Sequence, residues 1–163
     1  TSNRDGKRDI YRLRAGQVER VTHTAGDGES WGAISTETGM LFTSNRDGKR
    51  DIYRLHDGEV ARLTNTAGDG ESWGAVSTDT GILFTSTRDG KAEIYRLHGG
   101  QAERATHTAG GGESWSPSWT ETGILFTSNR DGKREIYRLH AGKAERVTQT
   151  PGNWESWTLD QEE

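Results

Sequence analysis

Apolar residues in this chain gather in short strand-like clusters, with polar residues and glycine between the clusters. No window places apolar residues at i, i+3, i+4 and i+7, and glycine falls too often to leave room for helices. The stretch 71–106 displays the unit. Glu71 to Ser77 carries Trp, Val and small residues and predicts a first strand, A. Thr78-Asp79-Thr80-Gly81 is a polar run ending in glycine, which predicts a hairpin turn. Ile82 to Ser86 is rich in aliphatic and aromatic residues and predicts strand B. A turn around Asp89-Gly90 follows, a strong hairpin signal, and leads to strand C over Glu93–Leu97. His98-Gly99-Gly100 turns the chain again into strand D, Gln101–Thr106, the most polar of the four.

The same unit recurs. TSNRDGKRDIYRL stands at Thr1–Leu13 and again at Thr43–Leu55, with close variants starting at Thr85 and Thr127, a period of 42 residues. Four short strands joined by tight turns form an antiparallel meander that cannot bury both of its faces alone. It must stack on copies of itself. Radial stacking of such sheets is the β-propeller, and the regular series of three hairpins argues against a β-solenoid, whose repeats are shorter. The polarity gradient agrees. Strands A and B hold Trp, Ile, Leu and Phe as inner strands should, whereas Glu and Arg on strand D suit an exposed edge. The expected fold is therefore all-β, a propeller of four near-identical 42-residue blades. Three blades lie at about 29–66, 71–108 and 113–150, and a terminal blade combines 155–160 with 1–24, giving one unit over 1–163. Sharing one blade between the termini would be a Velcro closure. That blade should be the weakest, because Ser2 is all that remains of its strand B.

Composition sharpens this picture in three ways. The hydrophobic fraction is only 29%, below the ~45–50% of ordinary globular chains on a count that also includes glycine, and alone it would suggest disorder. The strand-like clustering of the apolar residues, with six Trp and four Tyr recurring among them, overrides that suggestion. A net charge of −4 argues against a nucleic-acid surface. There is no cysteine, hence no disulfide framework or thiolate metal site. No stretch approaches the ~18–20 apolar residues of a membrane span. Copies this alike point to recent amplification or deliberate construction, so recurrence of a residue is not by itself a sign of function.

The third copy, ESWSPSWTETGILFTSNRDGKREIYRL, resembles the TolB-type, WD-like propeller repeat. Pro117-Ser118-Trp119, the run Phe126–Gly132 and Ile136-Tyr137 carry the likeness. Two copies depart from it, with Ala33-Ile34-Ser35 and Ala75-Val76-Ser77 in place of Pro-Ser-Trp. The resemblance implies the fold, one blade per repeat, and a soluble protein in a periplasmic or secreted setting. It does not single out a function, because this blade type serves protein-interaction and peptidase-associated propellers alike.

Candidate chemistry is sparse. Glu29, Glu71, Glu113 and Glu155 stand at the mouth of strand A, where a ring of carboxylates would attract calcium or magnesium into a central channel. The alternative is pairing with basic loop residues such as Arg46 and Lys49. The turn from Thr43 through Asp51 has oxygen ligands near calcium-loop spacing, but Arg54 stands where a bidentate Glu is required, which favours an ordinary turn held by Asp47 and Gly48. His56, His98 and His140 fall in outer turns, too far apart to share a metal. Trp31, Trp73, Trp115 and Trp157 are expected to wedge between blades, with sugar stacking as the alternative. Trp154, where other copies have glycine, together with Arg46, Arg88 and Arg130, makes a candidate binding set on the loop face.

No serine, histidine or acid is set apart from its repeat copies, and an active site is ordinarily asymmetric. The expected function is a non-enzymatic protein-interaction or scaffold module with an unnamed protein partner. A multivalent carbohydrate-binding propeller is the alternative. A ring of four blades needs the sharpest wedge between neighbours, which Gly32, Ala33, Gly74 and Ala75 supply but Pro117 and Trp119 do not. The expected assembly is therefore an eight-bladed ring of two chains closing head to tail, with a four-bladed monomer as the alternative.

Overall fold

Fourteen short strands and no helix build the described part of the chain, residues 1–152 of the computed structural model. Strands β1 (Tyr11–Arg14) and β2 (Gln17–Arg20) form a two-stranded hairpin. β3 (Ser30–Thr36), β4 (Gly39–Ser44), β5 (Asp51–His56) and β6 (Glu59–Arg62) form the first four-stranded meander. β7 (Ser72–Thr78), β8 (Gly81–Ser86), β9 (Glu93–His98) and β10 (Gln101–Arg104) form the second. β11 (Ser114–Thr120), β12 (Gly123–Ser128), β13 (Glu135–His140) and β14 (Lys143–Arg146) form the third. Every pairing is antiparallel, and strand order follows chain order within each sheet.

Three complete sheets thus fall inside 29–66, 71–108 and 113–150. Of the terminal blade, the described residues supply β1, β2 and a single bridge between Ser2 and Asp9. No strand of the third sheet reaches β1 or β2, so the described array is open. Residues 155–160, the expected closing strand, lie outside the described residues.

The sheets stack because each central strand is apolar on both sides. Side chains alternate across a strand, so neighbours such as Leu41 and Phe42 point to opposite faces. Leu41 and Ile52 of the first sheet pack against Ala75, Phe84, Tyr95 and Leu97 of the second. Leu83 and Ile94 of the second pack in the same way against Ile124, Phe126 and Tyr137 of the third. Ile10, beside β1, meets Phe42 and Tyr53. Within each sheet the two aromatic rings stack, with centroids 5.7 Å apart for Phe42–Tyr53, 5.9 Å for Phe84–Tyr95 and 5.8 Å for Phe126–Tyr137. Full burial of one such side chain is worth roughly 1.5–3 kcal/mol. A 29% hydrophobic chain therefore holds its blades with very few residues, each used fully.

The described Trp residues do not belong to this core. Trp31, Trp73 and Trp115 are only half-buried, and aliphatic residues with Phe and Tyr make the inter-blade contact instead. The reason is a β-bulge just after each Trp, where the register between the first two strands of each sheet shifts. The bulge places Gly32 at φ 60° and Gly74 at φ 64°. Strand D is shorter than expected, ending at Arg104 rather than Thr106. The amides of Ala105 and Thr106 both donate to the Ile94 carbonyl, which closes the ladder and turns Thr106 back toward the sheet.

The turns between β1 and β2, β5 and β6, β9 and β10, and β13 and β14 each place two residues in the left-handed region. These are Ala15-Gly16, Asp57-Gly58, Gly99-Gly100 and Ala141-Gly142. This is the type I′ turn, whose twist matches that of the strands and whose first position suits Asn, Asp or Gly. Alanine is strained there, at φ 47° for Ala141. Replacing exposed Ala141 with Asn is expected to stabilise the protein by about 1 kcal/mol, read as a higher melting temperature by circular dichroism.

Candidate interaction surface and its support

The loops between B and C strands and those leading from D to the next A strand gather on one face. A buried carboxylate at the start of each C strand organises them. Asp9, Asp51, Glu93 and Glu135 are fully buried, and a lone buried charge would be strongly unfavourable. Each is instead saturated by donors.

Asp51 accepts hydrogen bonds from the Thr64 hydroxyl at 2.6 Å and the Thr66 hydroxyl at 2.9 Å, and pairs with the Arg62 guanidinium. Glu93 accepts from Thr106 at 2.5 Å, from the hydroxyl and amide of Thr108 at 2.9 and 2.8 Å, and from Arg104 at 2.6 Å. Asp9 takes Thr22, Thr24 and Arg20 in the same roles.

From this point the bonds cross to the next blade. The Thr66 and Ser72 hydroxyls lie 2.8 Å apart, Ser72 donates to Ser86 at 3.0 Å, and Ser86 donates to the Glu71 carbonyl at 2.9 Å. Beside this chain the Ser72 amide donates to the Arg50 carbonyl at 2.8 Å. The acid, the Thr-x-Thr pair and two serines thus form one polar strap across each interface.

The charge state follows from these contacts. Burial pushes the carboxyls of Asp9 and Glu93 upward, but the donated hydrogen bonds outweigh it and hold both below the ordinary carboxylate range. In Glu135 the Thr148 hydroxyl is the largest influence, and with Thr150 and Lys133 it lowers the carboxyl to about 2. Burial and the hydrogen bond to Asp131 raise Tyr137 to about 12, and the same causes raise Tyr53 and Tyr95.

The turns themselves are pinned. The Lys49 ammonium donates to the carbonyls of Thr66 and Gly68, and Lys91 does the same to Thr108 and Gly110 at 2.5 and 2.9 Å. Asp47 accepts from the Tyr53 hydroxyl at 2.7 Å, and Asn45 accepts from the Glu29 amide at 2.6 Å. Asp47 therefore holds its turn through a side chain of strand C rather than through local amides.

Arg46, Arg88 and Arg130 are half-buried. Their guanidinium groups lie 4.7–5.3 Å from the Phe and Tyr ring centroids of their own blade and reach back to Ser44, Ser86 and Ser128. Arg50 reaches into the next blade, 5.9 Å from the Trp73 ring and 3.4 Å from the Glu71 carboxylate.

Glu29, Glu71 and Glu113 each accept a backbone amide from the preceding blade, those of Arg8, Arg50 and Ala92 at 3.2, 3.4 and 3.0 Å. Among the described residues no three His, Cys, Asp or Glu side chains come together as a metal-binding group. Glu155 and Trp154 lie outside the described residues. His56, His98 and His140 are exposed at the ends of their strands.

The buried acids were not singled out from the sequence. Their signal was present: an acid directly before Ile-Tyr in all four copies, with Thr-x-Thr 13 to 15 residues later.

No family model matches this chain, and no curated protein matches it. Solved structures do. A structure described as a putative TolB from Agrobacterium tumefaciens superposes with a TM-score of 0.72 at 22% identity, covering 89% of this chain and 58% of that one. TolB from Acinetobacter baumannii gives 0.64 at 25% identity, covering 93% and 39%. Puromycin hydrolase gives 0.65 at 13% identity, covering 88% and 25%. The chain thus has a TolB-type propeller fold and spans little more than half of one TolB structure and two fifths of the other. No helix among the described residues is long and apolar enough to cross a membrane.

Two outcomes follow. The depressed carboxyls bind protons more weakly in the fold than in the unfolded chain. Their contribution is complete above the ordinary carboxylate range and is lost as pH falls through the folded value, about 2 for Glu135. The melting temperature should fall steadily from about pH 5 to about pH 2, and a flat profile there would contradict the assignment. Thr66→Val removes the hydroxyl that joins Asp51 to Ser72 while keeping the shape. It should cost about 2–3 kcal/mol in denaturant unfolding, because buried polar groups lose their partners.

Proposed function

We propose that this chain is a non-enzymatic propeller array that binds protein partners through its B–C and D–A loop face. One observation carries the reading. The recurring charged residues of these loops are largely spent on holding the loops themselves, through the Lys–carbonyl, Asp–Tyr and buried-acid contacts. What remains outward is a rigid, repeated display of short loops, the arrangement in which recognition residues sit on a scaffold that does not move. Likeness to TolB propellers supports a protein-binding use, while likeness to puromycin hydrolase concerns the fold alone. A periplasmic or secreted setting is part of the same proposal.

The test uses Asp27 and Asp69, exposed in successive D–A loops. Immobilised protein should capture a defined partner from bacterial lysate, and the double variant Asp27→Lys, Asp69→Lys should lose it without a change in melting temperature. Equal capture by the variant, or turnover above background in a hydrolase screen, would overturn the reading.

A further inference from the structure

Asp-Gly occurs seven times in this chain, at 5–6, 27–28, 47–48, 57–58, 69–70, 89–90 and 131–132. In such a pair the glycine amide can attack the preceding side-chain carboxyl, because no β-carbon crowds the nitrogen and the glycine backbone bends freely. The attack needs a carboxyl free to turn, an amide free of other bonds and room for the backbone to move. The fold grants these to the seven pairs unequally.

Four pairs lie in B–C turns and are held at both groups. Each glycine amide donates to the carbonyl three residues back: Gly6 to Asn3 at 3.0 Å, Gly48 to Asn45 at 2.9 Å, Gly90 to Thr87 at 2.9 Å and Gly132 to Asn129 at 3.0 Å. The carboxylates of Asp5, Asp47, Asp89 and Asp131 each accept a tyrosine hydroxyl at 2.6–2.7 Å. Two pairs lie in D–A loops, where Gly28 and Gly70 donate to the carbonyls of Ala25 and Ala67 at 3.2 and 3.3 Å. These glycines are also closely packed. A β-carbon on Gly28 would stand 2.9 Å from Cα of Arg46, and one on Gly70 would stand 3.0 Å from Cα of Arg88. The backbone there has no room to swing.

The seventh pair, Asp57-Gly58, is the tip of the β5–β6 hairpin. The sister turns carry Ala15-Gly16, Gly99-Gly100 and Ala141-Gly142, so Asp57 is the one acid among them. Its side chain is 88% exposed, and its partner among the described residues is His56, with Nε2 3.4 Å from the carboxylate. In a type I′ turn the outer residues pair, here His56 with Glu59, and the amide between the two central residues faces solvent. Gly58 accordingly donates to no group among the described residues. Nothing lies within 4 Å of the position a β-carbon would take on it.

We propose that Asp57-Gly58 is a self-modification site, at which aspartate converts to isoaspartate while the other six pairs persist. The Gly58 nitrogen bonds to the side-chain carboxyl carbon of Asp57. One carboxyl C–O bond breaks, and the hydroxyl leaves with the amide proton as water. A five-membered succinimide results. Water then opens the ring. Opening at the side-chain carbonyl restores aspartate. Opening at the backbone carbonyl leaves the chain running through the side-chain carbon, with a free α-carboxylate. Water is the only co-reactant, and nothing is oxidised or reduced. The product adds one atom to the backbone between His56 and Glu59, so the two-residue turn no longer matches its strands.

The experiment ages the intact folded chain in warm, mildly acidic buffer. Isoaspartate is mapped in tryptic peptides by methyl transfer from labelled S-adenosylmethionine with a protein isoaspartyl methyltransferase. The peptide Leu55–Arg62 should gain isoaspartate at least about tenfold faster than any other Asp-Gly peptide. The chain aged in denaturant should convert at all seven pairs at comparable rates, because the local chemistry is then the same. Asp57→Glu would need a six-membered ring, and it should leave the folded chain nearly without methyl acceptance and with an unchanged circular dichroism spectrum. Three results would overturn the proposal. They are equal or faster conversion at another pair in the folded chain, a denatured chain that still converts mainly at Asp57, and methyl acceptance that survives Asp57→Glu.

Discussion

A buried carboxylate can be kept ionised in a protein interior only if donors replace the water it has lost. That requirement shapes each repeat. The acid at the head of strand C needs more donors than its own hairpin provides, so it draws in the Thr-x-Thr segment leaving strand D and the Arg that ends that strand. Once those threonines are fixed, the path into the next blade is fixed too. Their hydroxyls are shared with the serines that open the following A strand and close the following B strand. The apolar faces supply most of the attraction between sheets but are tolerant of sliding. Directional bonds from one carboxylate through four hydroxyls are not, and they set the register in which the apolar faces meet.

The same economy decides where recognition can occur. Charged turn residues that look available in the sequence are largely occupied. Lys49 holds two carbonyls, Asp47 holds a tyrosine, and Arg46 lies over two rings. The loops of a 42-residue blade direct several of their charges inward, onto backbone carbonyls and a strand tyrosine.

How far the chain could be read beforehand varied with the kind of interaction. Strand positions and turns followed from alternation and from Asp-Gly and Gly-Gly pairs, because these are local preferences. Strand D was overextended by two residues because the bend at Ala105 and Thr106 arises from a shared acceptor, Ile94, twelve residues away. The Trp residues looked like core from size alone. The bulge at Gly32 or Gly74, which leaves them half-buried, shows only in the register. Arg46 read as a loop-face group, and nothing local could announce that Phe42 and Tyr53 lie beneath it. The buried acids were passed over, although their recurrence with Thr-x-Thr was visible, because burial is set by the neighbouring blade.

The alternation of Leu and Phe along strand B has a consequence for growth. One face of each sheet is aliphatic, the other carries the Phe and Tyr rings, and each aliphatic face meets the ring-bearing face of the sheet that follows. The contact is therefore heterologous, with a direction, like links of a chain rather than mirrored halves. In such a series an added repeat extends the stack and carries the unsatisfied end along with it unchanged. The third sheet illustrates the carried end: Leu125 and Ile136 are less covered than their buried counterparts, and Val147 is 53% exposed. Lengthening alone never removes that end; only a rotation that returns the last aliphatic face to a first aromatic one does so.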